Sequence, residues 1–260
     1  MLADTETTES WAKRYVLSES LAYKLSPDCP PSSWGEAPVP LRLLSPGRPS
    51  ELTLASAGTR VPQDLSEKSA RAKLLHTFFH HELQAAELMC WALLAFSDAE
   101  LAFRKGLLAI CQDEIRHMQL YHAHIQRLGH QLGDFKVRDW FWERVPTCQS
   151  KLAFVALMGM GLEAANLEHS ALFAERFEQA GDREGAALQR LVGEEEVAHV
   201  AFGIYWFERW TLGQDFETWC SHLPTPLSPL LMRGKSLHES RRERAGMQPE
   251  FVHRLRTWQA

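Results

Sequence analysis

Long apolar runs are missing from this sequence. No uninterrupted stretch reaches about eighteen apolar residues, the length that a helix needs to cross a bilayer. The start of the chain also lacks the basic segment and apolar run of a secretory signal peptide. We therefore expect no membrane span and no secretion, and a reducing cytoplasm is the simplest compartment.

Cysteine is scarce and the net charge is low. The five cysteines contain no Cys-x-x-Cys pair, which disfavours a disulfide or zinc framework; they are Cys29, Cys90, Cys111, Cys148 and Cys220. A net charge of −5 disfavours nucleic-acid binding by the chain as a whole. The stretch from Arg233 to Arg256 is more basic. We expect it to pack on an acidic helical surface, and contact with RNA or phosphate is the alternative.

Proline is concentrated at one end of the chain. Eight of the thirteen prolines lie within residues 1–66. Because proline lacks a backbone N–H, this part should form an extended wrap with at most short helices or strands. The chain as a whole is 45% hydrophobic, enough for one core. We predict a proline-rich extension over 1–65, a helical bundle over 66–212 and a C-terminal tail over 213–260 packed on the bundle.

One pattern of metal-ligand residues occurs twice. In each copy a lone glutamate precedes a Glu-x-x-His pair by 32 or 33 residues; the six residues are Glu82, Glu114 and His117, then Glu163, Glu196 and His199. Residues three apart share one face of a helix, so each Glu-x-x-His pair directs a carboxylate and an imidazole at one point. Two such pairs and two further glutamates form the ligand set of a di-iron or di-manganese site inside a four-helix bundle.

Apolar residues surround each proposed ligand at helical spacing. Leu107, Ile110 and Ile125, for example, share the helix face of Glu114. Buried carboxylates that face one another repel and are costly unless protons or cations compensate them. Two divalent metal ions carry four positive charges, which match four glutamates. The alternative is a metal-free bundle whose buried polar residues satisfy one another.

Four short segments carry a resemblance to known proteins. They are His80-His81-Glu82-Leu83-Gln84-Ala85-Ala86-Glu87-Leu88, Asp113-Glu114-Ile115-Arg116-His117, Gly161-Leu162-Glu163-Ala164 and Glu195-Glu196-Val197-Ala198-His199-Val200. They resemble the ferritin-like superfamily of di-iron carboxylate proteins, and more closely a bacterial group within it, a ferritin-like domain-of-unknown-function family (DUF455). The resemblance implies the fold and the metal site. It implies no substrate, because the superfamily includes ferroxidases, rubrerythrins, quinone hydroxylases and a tRNA hydroxylase.

The predicted fold is all-α: a ferritin-like four-helix bundle with one long crossover between helices two and three, an irregular N-terminal extension and a C-terminal tail. The first three helices should cover about 66–96, 98–129 and 150–181, and the fourth should follow from 182. The predicted caps are Ser97 or Asp98, Ser150 and Asp182, and the predicted stops are Gly129 and Gly181. In the crossover, Trp140, Phe141 and Trp142 predict a hydrophobic clamp, with a substrate-facing lid as the alternative.

Further polar residues accompany the ligands. Glu87 and Glu168 each follow the lone glutamate of their copy by five residues, which turns them about 140° away and favours a hydrogen-bonding role over direct ligation. Asp113 and Glu195 each precede a ligand glutamate and could orient a ligand histidine. Tyr121 lies one turn beyond the histidine of the first copy, either as a redox-active phenol or as an ordinary core residue.

Small residues also lie near the ligands along the predicted helices; they are Ala86, Gly159, Ala164 and Gly203. An oxygenase would use the space beside them as an apolar pocket next to the metals. The alternative is that they only allow the helices to pack closely.

The oxygen-rich donor set with two imidazoles favours iron, with manganese or a mixed manganese–iron pair as alternatives. We expect the six ligands to act catalytically through two transition-metal ions that activate O2 to oxidise a small organic substrate or a modified nucleoside. The alternatives are a ferroxidase or iron-handling protein, and a structural protein stabilised by metal. The sequence does not identify an electron donor. We expect no membrane partner, nucleic acid is disfavoured as a partner, and a homodimer is possible.

Overall fold

The computed structural model describes residues 6–36, 38–56, 61–233 and 237–259. Over these ranges every regular element is a helix, and an isolated parallel bridge joins Leu54 to Val137. The all-α prediction is therefore confirmed. None of the helices in the described part of the chain combines the length and the apolarity that crossing a bilayer requires.

The chain divides into two compact units, residues 1–146 and 147–260. The division falls inside the predicted crossover and leaves one copy of the ligand pattern in each unit. The predicted domain limits at 65 and 212 stay predictions.

Unit 1 is built on a pair of long helices that follow two short ones. In chain order the elements are α1 (Thr8–Leu17), α2 (Leu21–Leu25), α3 (Lys68–Ala95) and α4 (Leu101–Arg127). Both α1 and α4 pack on α3. Nearly every α3 residue from Phe79 to Ala95 is buried, as expected for a helix that is apolar around most of its circumference. The short link between α3 and α4 makes them a helical hairpin.

The start of α4 differs from the prediction because the expected cap residue is used elsewhere. The N-cap is Glu100, which makes no side-chain cap hydrogen bond. The Ser97 hydroxyl instead donates to the carbonyl oxygen of Pro38 at 2.8 Å. The predicted cap at Ser97 or Asp98 is therefore wrong. The predicted stop at Gly129 is confirmed by its left-handed φ of 87°.

Glu87 of α3 anchors the N-terminal segment of unit 1. Its carboxylate accepts hydrogen bonds from Lys24 Nζ at 2.7 Å, Arg48 Nη1 at 2.6 Å and Trp142 Nε1 at 2.8 Å. Burial alone would raise the pKa of Glu87, but the two cations lower it below its ordinary value. The carboxylate therefore stays charged and ties α2, the following segment and the crossover to α3. We call these four residues the Glu87 anchor.

The aromatic cluster of the crossover packs against the same helix. Trp142 is buried, and the Gln84 side-chain oxygen accepts from the backbone N–H of Phe141 at 3.0 Å. The Arg144 guanidinium lies 4.1 Å from the centre of the Trp140 ring. These contacts fasten the segment to the hairpin, so the cluster is a clamp, as the sequence predicted.

Unit 2 contains the second long pair and several short helices. The elements are α5 (Lys151–Leu157), a π-helical segment (Met158–Glu163), α6 (Ala164–Gln179), α7 (Arg183–Thr211), α8 (Phe216–Ser221), α9 (Glu239–Arg244) and α10 (Pro249–Thr257). Ser150 accepts from the N–H of Ala153 at 3.1 Å, and Asp182 accepts from the N–H of Gly185 at 2.8 Å. Both predicted caps are confirmed, and Gly181 ends α6 with a left-handed φ of 77°.

The third predicted helix is not continuous, because the π-helical segment Met158–Glu163 separates α5 from α6. This corrects the prediction of one helix over 150–181. The indole N–H of Trp219 donates to the carbonyl oxygen of Ala156 at 2.9 Å, just before the segment. A change of helical pitch interrupts the regular hydrogen-bond ladder and leaves carbonyls in need of outside partners. The buried indole therefore stabilises the break.

Two glycines allow the π-helical segment to lie against α7. A Cβ built at Gly159 would lie 2.6 Å from the Cα of Gly203, and a Cβ built at Gly203 would lie 2.7 Å from the Cα of Gly159. The backbone of each glycine fills the space beside the other. Of the two uses that the sequence left open for these small residues, close helix packing is confirmed at this pair.

Glu168 of α6 anchors the C-terminal part of unit 2. Arg242 donates to it from Nε at 2.7 Å and from Nη2 at 2.8 Å, and the backbone N–H of His238 donates at 2.9 Å. The forked guanidinium matches both carboxylate oxygens, and Arg242 is fully buried. We call these three residues the Glu168 anchor. Glu168 stands at the same position in its copy of the pattern as Glu87 does in the first copy.

Gly203→Ala should destabilise the fold, because the added methyl group meets backbone atoms of Gly159, which cannot move aside as a flexible side chain can. We expect a loss of about 1–3 kcal/mol in the free energy of unfolding, despite the better helix propensity of alanine. In the control, Gly213→Ala, the new Cβ meets nothing within 4 Å, so stability should change little. Urea unfolding of both variants tests this, and equal losses would contradict the packing.

Glu87→Gln should destabilise the fold more than the loss of an exposed ion pair does, because it removes the carboxylate that pairs with buried Lys24 and one of the two carboxylates that pair with Arg48. Breaking a buried ion pair in this way costs about 3–5 kcal/mol. The control is Asp28→Asn, which removes an exposed partner of Arg14 and should cost about 0–1 kcal/mol. Thermal and urea unfolding at pH 7 check the difference. A Glu87 variant as stable as the control would refute the anchor.

The acid sensitivity of the Glu87 anchor follows from the same charges. Because the pKa of Glu87 is lower in the folded chain than in the unfolded chain, its stabilisation is present at neutral pH and is lost as the pH falls through the folded-state pKa. In the Glu87→Gln variant, the free energy of unfolding should therefore decrease less as the pH is lowered from about 5 through the folded-state pKa of Glu87. Urea unfolding of both proteins across this range measures the difference, and parallel pH profiles would contradict it.

Candidate metal centre

The first copy of the ligand pattern forms a buried cluster in unit 1. Glu82 lies on α3, and Glu114 and His117 lie on α4. Each offers one ligand atom, and these atoms lie within 4.8 Å of one another. Glu114 and His117 are fully buried, and Glu82 is 5% exposed. The Nδ1 atom of His117 lies 3.1 Å from Oε2 of Glu114. We call these three residues half-site 1.

The second copy forms the same cluster in unit 2. Glu163 is the last residue of the π-helical segment, and Glu196 and His199 lie on α7. Their ligand atoms also lie within 4.8 Å of one another, and all three residues are buried. The Nδ1 atom of His199 lies 3.1 Å from Oε2 of Glu196. We call these three residues half-site 2.

Helix geometry explains why the two half-sites share one local arrangement. In both copies the glutamate and the histidine are one turn apart on a single helix, and the imidazole nitrogen meets the same carboxylate oxygen at the same distance. The lone glutamate comes from the other helix of each hairpin. The structure thus brings together the three predicted residues within each unit.

Asn166 supports half-site 2 and was missed by the sequence analysis. Its Nδ2 donates to Oε1 of Glu196 at 3.0 Å, which fixes the carboxylate while its other oxygen faces His199. A signal was present, because Asn166 lies three residues after Glu163 and so shares its helix face. The first copy has Ala85 at the matching position, so comparing the two copies gave no hint of this asparagine.

Glu87 and Glu168, which the sequence predicted to accompany the ligands, belong to the two anchors. Glu87 hydrogen-bonds Lys24, Arg48 and Trp142, and Glu168 hydrogen-bonds elements of the C-terminal part of unit 2. Both are hydrogen-bonding residues, as expected from their turn away from the ligand face. Their charges are balanced by side-chain cations of the same unit.

The other accompanying residues have different surroundings. The side chain of Asp113 is 46% exposed and lies 3.4 Å from Arg116. Tyr121 is buried, and its ring centre lies 5.9 Å from that of Phe78. Glu195 is half-buried. A role of Asp113, Glu195 or Tyr121 in orienting the ligands stays a prediction.

Two further histidines of α3 belong to a separate polar cluster. His80 Nε2 lies 2.9 Å from Oδ1 of Asp139, which also accepts from Arg48 Nε at 2.9 Å. His76 Nε2 accepts from the backbone N–H of Gly133 at 2.9 Å. Burial lowers the pKa of His80 and lowers the pKa of His76 to about 4, so both imidazoles are neutral at pH 7. These contacts fasten the crossover to α3.

Two clefts open on unit 1. The larger measures about 660 Å³ and is lined at the end of α4 by residues that include His122, Gly129 and His130. The smaller measures about 190 Å³ and its lining includes His81 and Trp140. No ligand of half-site 1 lines either cleft. The two clefts therefore belong to the surface of unit 1 and not to its half-site.

The donor chemistry of each half-site fits a divalent transition metal. Each half-site offers two carboxylates and one imidazole, and even a protonated imidazole leaves a net negative charge. Carboxylate with imidazole suits iron or manganese, and neither half-site contains a thiolate, which structural zinc sites favour. The residues of each half-site could therefore hold a metal ion, Glu82, Glu114 and His117 in the first and Glu163, Glu196 and His199 in the second.

Comparison with known proteins identifies one relative among curated proteins. An uncharacterized protein from Haemophilus influenzae is 28% identical over 159 residues, which cover 56% of this chain and 55% of the relative. The chain thus spans about half the length of that protein. No solved structure matches the chain.

A family model matches almost the whole sequence. It covers residues 4–253 and is described as a protein of unknown function, DUF455. The match includes both half-sites and both anchors. This chain belongs to the DUF455 family of proteins of unknown function.

Proposed function

We propose that the chain is a dinuclear metal carboxylate protein that activates O2 as an oxidase or oxygenase. One observation carries the proposal: each unit contains two carboxylates and one imidazole, all buried, with ligand atoms within 4.8 Å of one another. A single cluster of this kind has ordinary structural explanations. Two clusters with the same composition and the same local geometry favour a common ligand.

The proposal assigns both half-sites to one centre with two metal ions. The repeat supports this, because each copy supplies half of the six-ligand set found in di-metal carboxylate bundles. Charge supports it as well. Two divalent ions balance the four carboxylates, whereas the two histidines can contribute at most two positive charges. The finer fold prediction belongs to the same proposal: a ferritin-like bundle made by α3, α4, the α5–α6 pair and α7.

Iron is the proposed metal, with manganese or a mixed pair as alternatives. When bound in this donor set, the metals would supply redox chemistry toward O2. The glutamates would neutralise the metal charge and adjust their binding mode. His117 and His199 would each hold a metal ion together with the glutamate of their own helix, and Asn166 would hold Glu196 in place.

The substrate class in this proposal is a small organic molecule or a modified nucleoside. The buried setting supports oxidation chemistry, because the ligands themselves are shielded from water and buried apolar residues, Ile110 and Val192, lie one helical turn before Glu114 and Glu196. The reduction of O2 consumes electrons, so an electron donor that the sequence does not name is part of the proposal.

A second candidate is a ferroxidase or iron-handling protein. The contact between Gly159 and Gly203 favours it, since this contact fills space that an oxygenase would use for its substrate. One experiment separates the two. The protein is loaded anaerobically with Fe(II), exposed to O2 and followed by optical spectroscopy, with product analysis on a cell extract. Catalytic turnover of an organic molecule supports the oxygenase, and accumulation of many ferric ions per chain supports the second candidate.

The metal content should depend on both half-sites. Purified protein should hold about two transition-metal ions per chain, and Glu114→Ala or His199→Ala should each sharply reduce that number. The matched control is Glu194→Ala, which changes an exposed glutamate two residues before Glu196 that pairs with Arg244. Elemental analysis measures all four proteins. Full occupancy in both ligand variants would remove these residues from the site.

Stripping the metal should lower the melting temperature, because an ion bound only by the folded state stabilises it by mass action. The effect is about 2.7 kcal/mol at a free concentration one hundred times the dissociation constant. Glu163→Gln should raise the stability of the stripped protein, since it removes one of the repelling charges. Calorimetry with and without chelator tests both statements. An unchanged melting temperature after stripping would contradict the proposal.

A further inference from the structure

Two cysteines of unit 1 face each other in the interior of the α3–α4 hairpin. The Sγ atoms of Cys90 on α3 and Cys111 on α4 lie 3.4 Å apart, within hydrogen-bond distance for a thiol pair. Both residues are buried, with exposures of 1% and 0%. Both are free thiols. The pair has no part in the anchors, the clamp or the half-sites described above.

The pair lies close to half-site 1 along α4. Cys111 precedes Glu114 by three residues, so the two side chains share a helix face and lie about 4.5 Å apart along the axis. Burial, the hydrogen bond with Cys90 and the negative charge of Glu114 all raise the pKa of Cys111. The thiol is therefore protonated and within the electrostatic reach of a proposed metal ligand.

Burial restricts which oxidants can reach these thiols. The thiolate is the reactive form toward oxidants in solution, and buried cysteines in apolar surroundings are inert to them. Burial does not separate the thiols from an electron acceptor that is itself bound inside the hairpin. The short distance between the two sulfur atoms also means that a disulfide requires little rearrangement of α3 against α4.

We propose that Cys90 and Cys111 are an internal two-electron donor to the metal centre. This inference rests on the proposed function. The two thiols would give up two electrons to two ferric ions, which become ferrous, and a Cys90–Cys111 disulfide would form. The two S–H bonds break, and the two protons pass to half-site carboxylates, Glu114 being the one on the same helix face. One chain could thus complete one reduction before an external thiol or reductase renews the pair.

The test follows the thiols rather than an activity. Reduced protein is loaded anaerobically with two Fe(II) per chain and exposed to O2, while a second sample without iron receives the same O2. Both are quenched in acid, alkylated under denaturing conditions and mapped by peptide mass spectrometry. We expect close to one Cys90–Cys111 disulfide per chain with iron and less than a tenth of that without iron. Once the remaining O2 is removed, so that the ferrous ions are not oxidised again, the ferric absorption should decay as the disulfide forms.

Two variants remove the thiol pair, so that the inference can still be tested if one of them does not fold. In Cys90→Ala the ferric absorption should persist, and Cys111→Ala provides a second variant of the same pair. Cys148→Ala is the control, because Cys148 is equally buried but is not part of the pair, and it should behave as the unaltered protein. Iron content and melting temperature of each variant are measured first, so that a variant that fails to fold is replaced by the other.

Three results would overturn the inference. Thiols that stay intact beside ferric iron would show that the pair donates no electrons. Equal disulfide formation without iron would show that the metal is not the acceptor. A chain that binds no iron at all would refute the proposed function together with this inference, whereas the first two results would leave the proposed function standing.

Discussion

The electrostatic cost of buried carboxylates is the constraint on which this structure depends. Six glutamates of the two hairpins lie in the interior, and an ionised carboxylate there requires compensation; they are Glu82, Glu87, Glu114, Glu163, Glu168 and Glu196. Two of them are compensated by cationic side chains that are fixed in the fold. For the other four we propose two metal ions. In this proposal the protein's own cations compensate two of the buried glutamates and the metal ions would compensate the other four.

The two copies of the pattern distribute these roles in the same way. Five residues after the lone glutamate, each copy places a second glutamate that binds a cation from outside its hairpin. Glu87 holds Lys24 and Arg48 of the N-terminal segment, and Glu168 holds Arg242 of the C-terminal part. The duplication therefore extends beyond the ligands. It also helps to explain how segments of irregular sequence are attached to each hairpin, since a buried glutamate of each hairpin binds cations from them.

Much of this arrangement could be predicted from the sequence because it depends on local geometry. The Glu-x-x-His spacing, the caps at Ser150 and Asp182 and the stop at Gly181 follow from rules that act within one or two turns. Contacts between distant segments could not be predicted in this way. The partners of Glu87 lie 63 and 39 residues earlier and 55 residues later in the chain, and no periodicity relates them.

Two errors have the same physical origin. Ser97 is a good helix cap by its chemistry, but its hydroxyl bonds to Pro38 in the folded chain. The π-helical segment before Glu163 depends on the approach of Gly203 and on the indole of Trp219, which no local rule anticipates. In both cases a tertiary contact overrides a local preference. The candidate ligands were predictable because they repeat, whereas Asn166 was not because it occurs in one copy only.

We propose that the two half-sites serve a single dinuclear centre. X-ray absorption spectroscopy of the iron-loaded protein tests it most directly, because it measures the distance between neighbouring metal ions. The account predicts a metal–metal distance of about 3.5–4 Å, as in other two-metal sites, and a mixed nitrogen and oxygen ligand shell. Two isolated ions without a metal–metal contribution, or a single ion per chain, would contradict it.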